Sequence, residues 1–454
     1  MNINSEIFRE YDIRGIVGKD ITNDFSFLLG KGFGTYAIRN KGKRIAISGD
    51  VRPSTESLLS HLEKGILSTG VNVVKIGIIP TPLNYYSSHV MNIDGAIQIT
   101  GSHNPSDYNG FKISWKKQSF YGDKIQELKD IILNEDFELG KGVSESQDII
   151  KDYENTIKEK INIDSSINLV MDCGNAVGGL VAPKLYKDIG VNLTELYCDV
   201  DGTFPNHHPD PTVDSNLSKI VDTIKNGNFD LGIAFDGDAD RIVAIDEMGR
   251  IIRSDILMAL FIPEVLGAGK NIVYDVKCSR ALEETIQKHD GNGFMWKTGH
   301  SLIKSKMKEV DASFGGEMSG HIFFADNYFG FDDAIYTGLR LAQLLSTQKK
   351  KLSDLVDEIP SYKSTPELRF DCPSEEKKRE ITSKVVDYFS SKYSCQNIDG
   401  IRIEFEQGWG LVRSSNTQPV IVCRFEANTS EALDEYISLV LNKINELGDV
   451  NFRI

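Results

Sequence analysis

Gly95-Ala-Ile-Gln-Ile-Thr100 runs straight into Gly101-Ser102-His103-Asn104-Pro105, so a short apolar stretch breaks abruptly into a polar, glycine-led loop. An apolar run of this length, closed by a turn signal, predicts a buried strand. Working upstream, Arg44-Ile-Ala-Ile-Ser-Gly-Asp50 predicts another strand, Ser54 to Thr69 a helix, and Gly70-Val-Asn-Val-Val74 a further strand. The same order recurs with Asn168-Leu-Val-Met-Asp172, a helix near 177–189, Gly190-Val-Asn-Leu193 and Leu231-Gly-Ile-Ala-Phe235. A third copy has Asn271-Ile-Val-Tyr-Asp275, a helix near 280–289, Phe294-Met-Trp-Lys297 and Ala312-Ser-Phe314. Such an internal repeat decides architecture before any single motif does. Apolar runs alternating with amphipathic helices predict α/β units with buried, parallel or mixed sheets.

Each third strand ends in a polar loop: Gly101–Pro105, Asp236-Gly-Asp238-Ala-Asp240-Arg241, and Gly315-Gly-Glu317-Met-Ser319-Gly-His321. Open α/β sheets bind ligands beyond the carboxyl ends of their strands, so three convergent loops would build one cleft. The last part reads differently. A linker at 360–366 leads to a helix near 376–392, strands Ile401–Phe405 and Val420–Phe425, and a final helix near 430–447. The predicted fold class is therefore α/β, with three similar α/β domains around a central cleft plus a C-terminal α+β domain. The divisions fall at 1–148, 149–249, 250–361 and 362–454.

Composition bounds the function. Acids outnumber bases 66 to 51 over 454 residues, a formal charge of −15, which argues against nucleic acid as a partner because phosphate backbones need a basic footprint. No apolar run reaches membrane-span length, and the polar start reads as neither signal nor transit peptide, so a cytoplasmic protein with no membrane partner is expected. The six cysteines show no CxxC spacing, and several lie in strand-like runs, where a thiol is usually a small buried hydrophobe.

Asp236, Asp238 and Asp240 put three carboxylates at alternate positions after a buried strand. Crowded anions repel unless a cation neutralises them, so a hard divalent metal competes with a plain acidic turn. An EF-hand loop, with Glu247 at its twelfth position, is excluded by Arg241 where the sharp turn needs glycine, and by the strand-like Ile242–Ile245. Ser102 is open to three readings, as a nucleophile, a phosphate carrier or a turn residue, and His103 beside it makes no triad alone. Arg413-Ser-Ser415-Asn416-Thr417 offers a guanidinium, hydroxyls and an amide, either a phosphate cradle or a polar hairpin loop. Gly30, Gly32 and Gly34 lack the G-x-G-x-x-G spacing and predict close helix packing instead.

Taken together, these loops resemble the α-D-phosphohexomutase superfamily, most closely its phosphomannomutase/phosphoglucomutase branch. Further matching stretches are Phe8–Gly15, Tyr108–Lys112, Phe204–Pro211, Asp275–Ser279, Lys297–Ser301 and Gly408–Arg413, in the family's order along essentially the whole chain. Ser48-Gly49-Asp50 departs from the Gly-Arg-Asp that relatives often carry, which touches a supporting contact rather than the chemistry.

The resemblance implies an isomerase interconverting hexose 1-phosphate and hexose 6-phosphate, of mannose or glucose. Ser102 would carry a phosphoryl group, and Asp236, Asp238 and Asp240 would hold Mg²⁺ together with an oxygen of Ser102. A phosphoserine adds about −1.5 to −2 charge beside three carboxylates, which a metal and nearby cations make tolerable. Arg241, Lys112 and Arg14 would supply further positive charge. Glucose 1,6-bisphosphate, or mannose 1,6-bisphosphate, would be intermediate and activator, turning over between two transfers. Arg413, Ser415, Asn416 and Thr417 would clamp the non-reacting phosphate, and Glu317 and Ser319 would bind sugar hydroxyls 3 and 4. Lys112 or His321 would move the proton, while Tyr11, Lys277 and His300 would make further substrate contacts. A phosphosugar is the expected partner of a monomer or weak oligomer. The alternatives are a glucosamine-phosphate or N-acetylglucosamine-phosphate mutase, a metal phosphatase, and a non-catalytic phosphoprotein scaffold. Ser102, the three aspartates and Arg413 together argue against a scaffold, and a second phosphate site argues against a phosphatase.

Overall fold

A computed structural model describes residues 3–415 and 419–453. Its strands form four sheets. The first three share one plan. A central strand (Arg44–Gly49, Asn168–Asp172 or Asn271–Asp275) lies between two parallel neighbours, and one of these neighbours turns back into an antiparallel return strand. The returns are Gly95–Ile99 to Tyr108–Trp115, Leu231–Phe235 to Ile242–Asp246, and Phe314–Gly316 to Ile322–Phe324. All three polar loops are these connections. An antiparallel return can be closed by a short connection, so each loop stays at the carboxyl end of its outgoing strand. The third-unit strand expected at 312–314 lies instead at Phe314–Gly316, because Gly315 and Gly316 fit where a Cβ would meet the Met307 and Met258 sulfurs.

Strands Asn168–Asp172, Leu231–Phe235 and Asn271–Asp275 are almost wholly buried on both faces, which is why they read as unbroken apolar runs. Helices Asn23–Arg39 and Thr55–Leu67 approach closely through glycine: a Cβ on Gly30 would lie 2.4 Å from Leu62 O, and one on Gly65 2.1 Å from Phe27 O. The three-glycine stretch is helix packing, as its spacing indicated.

The C-terminal sheet is antiparallel and carries helices Glu375–Ser390 and Ser430–Gly448. It includes the strand Gly408–Ser414, so Arg413 is strand, not loop. The expected linker at 360–366 is also partly structured: Lys363 and Ser364 pair with Ala427 and Glu426. Tyr362 is held on the third unit, its hydroxyl 2.7 and 2.8 Å from the Glu284 carboxylate.

One apolar core runs continuously from Ala46 through the second unit to Leu352, while the C-terminal unit keeps a separate core. The seam between that unit and the third combines a small apolar cluster, Val276 against Trp409 and Leu411, with arginine contacts to the backbone. Arg402, stacked 3.8 Å over Trp409, donates to the Val276 and Cys278 carbonyls at 2.9 Å each. Arg424 donates to the Lys277 carbonyl and lies 3.3 Å from Asp255 Oδ2. Among the described residues no helix is long and apolar enough to cross a membrane.

Candidate active site

The first two loops meet directly. Ser102 adopts φ +48°, a left-handed conformation that costs a non-glycine residue about 1–2 kcal/mol. Its Oγ donates to Asp236 Oδ2 at 3.0 Å and lies 3.1 Å from His103 Nδ1. Burial, then the surrounding cations Arg241, Arg14 and Lys112, hold His103 well below the ordinary histidine range, so its ring is neutral beside the hydroxyl.

Asp236, Asp238 and Asp240 are fully buried, and each offers an oxygen within 4.8 Å of the others. Lys112 reaches in from the return strand of the first sheet, donating to Asp238 Oδ2 at 2.7 Å and to Asp240 Oδ2. Burial alone would lower the Lys112 pKa, but Asp238 and Asp240 outweigh it and fix the group as an ammonium. Thr81 Oγ1 also donates to Asp238 Oδ2, at 2.6 Å. One ammonium does not satisfy three carboxylates. Asp238 Oδ1 and Asp240 Oδ1 are buried without a hydrogen-bond partner. The Asp236 carboxyl is pushed well above its usual range, first by burial and then by its two neighbours. Oxygen ligands, crowding and orphaned acceptors together fit a hard divalent cation.

The third loop closes on the second. Arg241 Nε donates to His321 Nε2 at 3.0 Å, which leaves the ring proton on Nδ1. That nitrogen lies 2.9 Å from Asp332 Oδ2 and 3.6 Å from Asp240 Oδ1. Asp332 also receives Lys304 at 2.8 Å and lies 3.4 Å from His300 Nδ1. His300 stacks on His321 with centroids 5.2 Å apart, and burial followed by the Lys304 charge lowers its pKa to about 4. Arg14 pairs with Asp12, whose carboxyl it holds low against the effect of burial.

Glu317 is buried, accepts from Gly299 N, and lies 3.5 Å from the half-buried Ser319 hydroxyl. Burial raises the Glu317 pKa. Tyr11 from the first unit donates to Thr298 O at 2.8 Å, beside Gly299, where a Cβ would meet the tyrosine ring at 2.6 Å. Lys277 lies 3.3 Å from Glu367 of the C-terminal unit and 3.6 Å from Asp275. Arg413 is buried and donates through Nε to Asp399 Oδ2 at 2.8 Å, the same oxygen that accepts Thr298 N at 3.1 Å. Arg413 is thereby joined to the loop that Tyr11 touches. Ser415 is buried on the same strand end, while Asn416 and Thr417 lie outside the described residues.

Sequence reasoning missed Asp332, Asp399 and Arg52. Asp332 carried one signal, its place before Asp333, which caps helix Ala334–Gln348. Asp399 and Arg52 had none, because the contacts that give them a role, Thr298 N for Asp399 and the carbonyls of 102–108 for Arg52, lie far along the chain.

Family models cover most of the chain. Residues 5–139, 151–249 and 253–362 match phosphoglucomutase/phosphomannomutase alpha/beta/alpha domains I, II and III, and residues 351–443 match the C-terminal domain. A phosphomannomutase/phosphoglucomutase of Pseudomonas aeruginosa is 40% identical over 442 residues, 97% of this chain and 96% of that protein. A phosphoglucomutase of Neisseria meningitidis serogroup A is 42% identical over 95% of each chain. The crystal structure of a phosphoglucomutase/phosphomannomutase family protein from Burkholderia thailandensis superposes with a TM-score of 0.93 at 38% identity, covering 100% of this chain and 99% of that one.

Proposed function

This chain belongs to the phosphoglucomutase/phosphomannomutase family, and on that premise we propose that Ser102 carries the phosphoryl group it transfers. It is a phosphohexomutase, an isomerase interconverting hexose 1-phosphate and hexose 6-phosphate, with mannose and glucose as the sugars its relatives' names indicate. The observation that carries the Ser102 reading is its hydroxyl, 3.0 Å from Asp236 in a triad with two orphaned carboxylate oxygens.

Asp236, Asp238 and Asp240 would hold Mg²⁺ together with a Ser102 oxygen. Bound there, the ion would neutralise charge on the transferring group. The chain's own residues do the rest. Arg241, Lys112 and Arg14 surround the serine with positive charge, and phosphoryl transfer asks mainly for such positioning and neutralisation. Lys112, held as an ammonium, is poorly suited to accept a proton in this state. His321 is the better acceptor, since Arg241 can leave its Nε2 for a phosphate while the Asp332 carboxylate stays 2.9 Å from Nδ1. Glu317 and Ser319 would read sugar hydroxyls 3 and 4. Arg413, Ser415, Asn416 and Thr417 would grip the non-reacting phosphate in both orientations of a 1,6-bisphosphate, with Tyr11, Lys277 and His300 completing the wall. Every one of these groups comes from one chain, so the monomer in the expected monomer or weak oligomer can supply the whole site.

The test is turnover of glucose 1-phosphate with Mg²⁺, with and without catalytic glucose 1,6-bisphosphate. Purified protein should carry one phosphate by intact mass, and Ser102→Ala should lose both the phosphate and nearly all turnover. Wild-type turnover in a verified Ser102→Ala protein would end the covalent reading.

A further inference from the structure

The loop that carries Ser102 is wrapped around one buried arginine. The Arg52 side chain is 0% exposed and does not touch the Ser102 hydroxyl, yet all five of its N–H groups are directed at oxygen. Nη2 donates to Ser102 O at 2.8 Å and Asn104 O at 2.7 Å. Nη1 donates to Tyr108 O at 3.0 Å and to Pro105 O. Nε donates to Asp50 Oδ2 at 3.1 Å, and that same oxygen accepts Gly101 N at 3.0 Å. Thus Asp50 holds the loop's entry, and Arg52 holds three of its carbonyls and that of Tyr108, where the return strand begins. Gly101 must be glycine for this reason: a Cβ there would stand 2.4 Å from the guanidinium carbon.

The arginine is seated from the second unit. The Phe204 ring covers its guanidinium at 5.0 Å. Gly202 lies so close to Val51 O that a Cβ would be 2.0 Å away. The segment carrying both is braced by His207, 3.2 Å from Asp172, and by Asn206, which donates to Asn175 at 2.7 Å. The Phe204–Pro211 motif, which the chemistry leaves unused, thereby presses on the back of the phosphoserine loop.

We propose that Arg52 is a positioning residue that holds Ser102 in its left-handed conformation, and so aims Oγ at the Asp236 cluster, with Phe204 as its backstop. A flexible chain would not keep φ +48° at a serine without outside restraint, and four carbonyls on one rigid fork supply it. A lysine cannot substitute, because three donors on a rotor do not address four carbonyls and a carboxylate in fixed directions.

The inference rests on Ser102 as phosphoryl carrier, and its test separates the two. Arg52→Lys should lower kcat for glucose 1-phosphate at least 100-fold while KM stays within threefold, because the sugar and phosphate contacts lie on other loops. Rephosphorylation of the dephosphorylated variant by glucose 1,6-bisphosphate, followed by intact mass, should slow by the same factor. Arg52→Ala should regain at least tenfold in kcat with 50 mM methylguanidinium against sodium chloride of equal ionic strength, which a merely structural loss would not do. Phe204→Ala should lower kcat at least fivefold at unchanged KM, and decides the matter if the Arg52 variants do not fold. A kcat within threefold of wild type in Arg52→Lys overturns the proposal, as does full kcat in Phe204→Ala. If Ser102→Ala is inactive in the same assays, those results overturn the role of Arg52 alone.

Discussion

Replacing Lys112 by methionine removes the one ammonium that, among the described residues, is bonded to the carboxylate cluster, and leaves a side chain of similar length. In the metal-free protein Asp238 and Asp240 each lose a contact, at 2.7 Å for Asp238, in a site of 0% exposure. Breaking a buried pair from one side costs about 3–5 kcal/mol, because the abandoned charge stays buried. At roughly 2–4 °C per kcal/mol for a cooperative unit of 150–250 residues, the melting temperature in EDTA should fall by about 10 °C. Part of this is recoverable by proton uptake, since Asp236 already has its pKa pushed up. The deficit should therefore be smaller at pH 6 than at pH 8. Magnesium supplies the missing charge, so titrating Mg²⁺ should raise the melting temperature of Lys112→Met more than that of wild type. Scanning calorimetry with EDTA and with graded Mg²⁺ is the assay. A variant that melts within 2 °C of wild type in EDTA, or gains no more from Mg²⁺, would refute the idea that Lys112 stands in for a cation at this site.

Arg413→Ala should cost about 2–4 kcal/mol in kcat/KM, roughly 30- to 1000-fold, if the guanidinium clamps substrate phosphate; steady-state kinetics would show a loss under threefold if it does not. Nothing in the sequence nominates a dedicated reader of the C2 hydroxyl, while Glu317 and Ser319 are assigned to hydroxyls 3 and 4, so glucose 1-phosphate and mannose 1-phosphate should differ by less than about tenfold in kcat/KM, and N-acetylglucosamine 1-phosphate should be far poorer. The same kinetics across the three sugars decides this, with an acetylated sugar as best substrate counting against it. His89, packed beside Phe329 and Phe331, has its pKa lowered by burial and then by Lys117 to about 4. Depressed below an unfolded value of about 6.5, it contributes stability above that pH and loses it between pH 6.5 and 4, about 2 kcal/mol by pH 5. His89→Phe should consequently lose less stability than wild type between pH 8 and pH 5 in urea titrations, and equal losses would refute the assignment.

The repeat was legible because its strands are buried on both faces. Asn168–Asp172, Leu231–Phe235, Asn271–Asp275 and Ile401–Phe405 fall where the apolar runs lie. Gly408–Ser414 escaped as a strand because it opens on two glycines around Trp409 and ends on Arg413-Ser414, which leaves no continuous apolar run. The aspartate triad could be read from spacing, since its members are neighbours in the chain. Lys112 could be named as a cation but not as the partner of Asp238 and Asp240, more than a hundred residues away. The roles of Arg52, Asp332 and Asp399 could not be read from spacing either. Their meaning lies in which distant oxygens or nitrogens they face, and local composition does not encode that.

The arginine seam between the third and C-terminal units has a consequence for inheritance. Arg402 and Arg424 grip the carbonyls of residues 276–278, and Glu426 accepts from Arg280 N. Every amino acid brings a carbonyl, and every one but proline an amide hydrogen, so the gripped side can change its spelling without losing the grip. Only Asp255 answers Arg424 with a side chain. At these backbone contacts mutations need not occur in compensating pairs, so surveys of correlated substitution would register the side-chain part of the junction, such as Lys277 with Glu367 and Val276 against Trp409 and Leu411, and pass over the rest. A chimaera joining a relative's C-terminal unit to this chain near Tyr362 should accordingly dock, provided the graft brings its two arginines and Asp255 is kept.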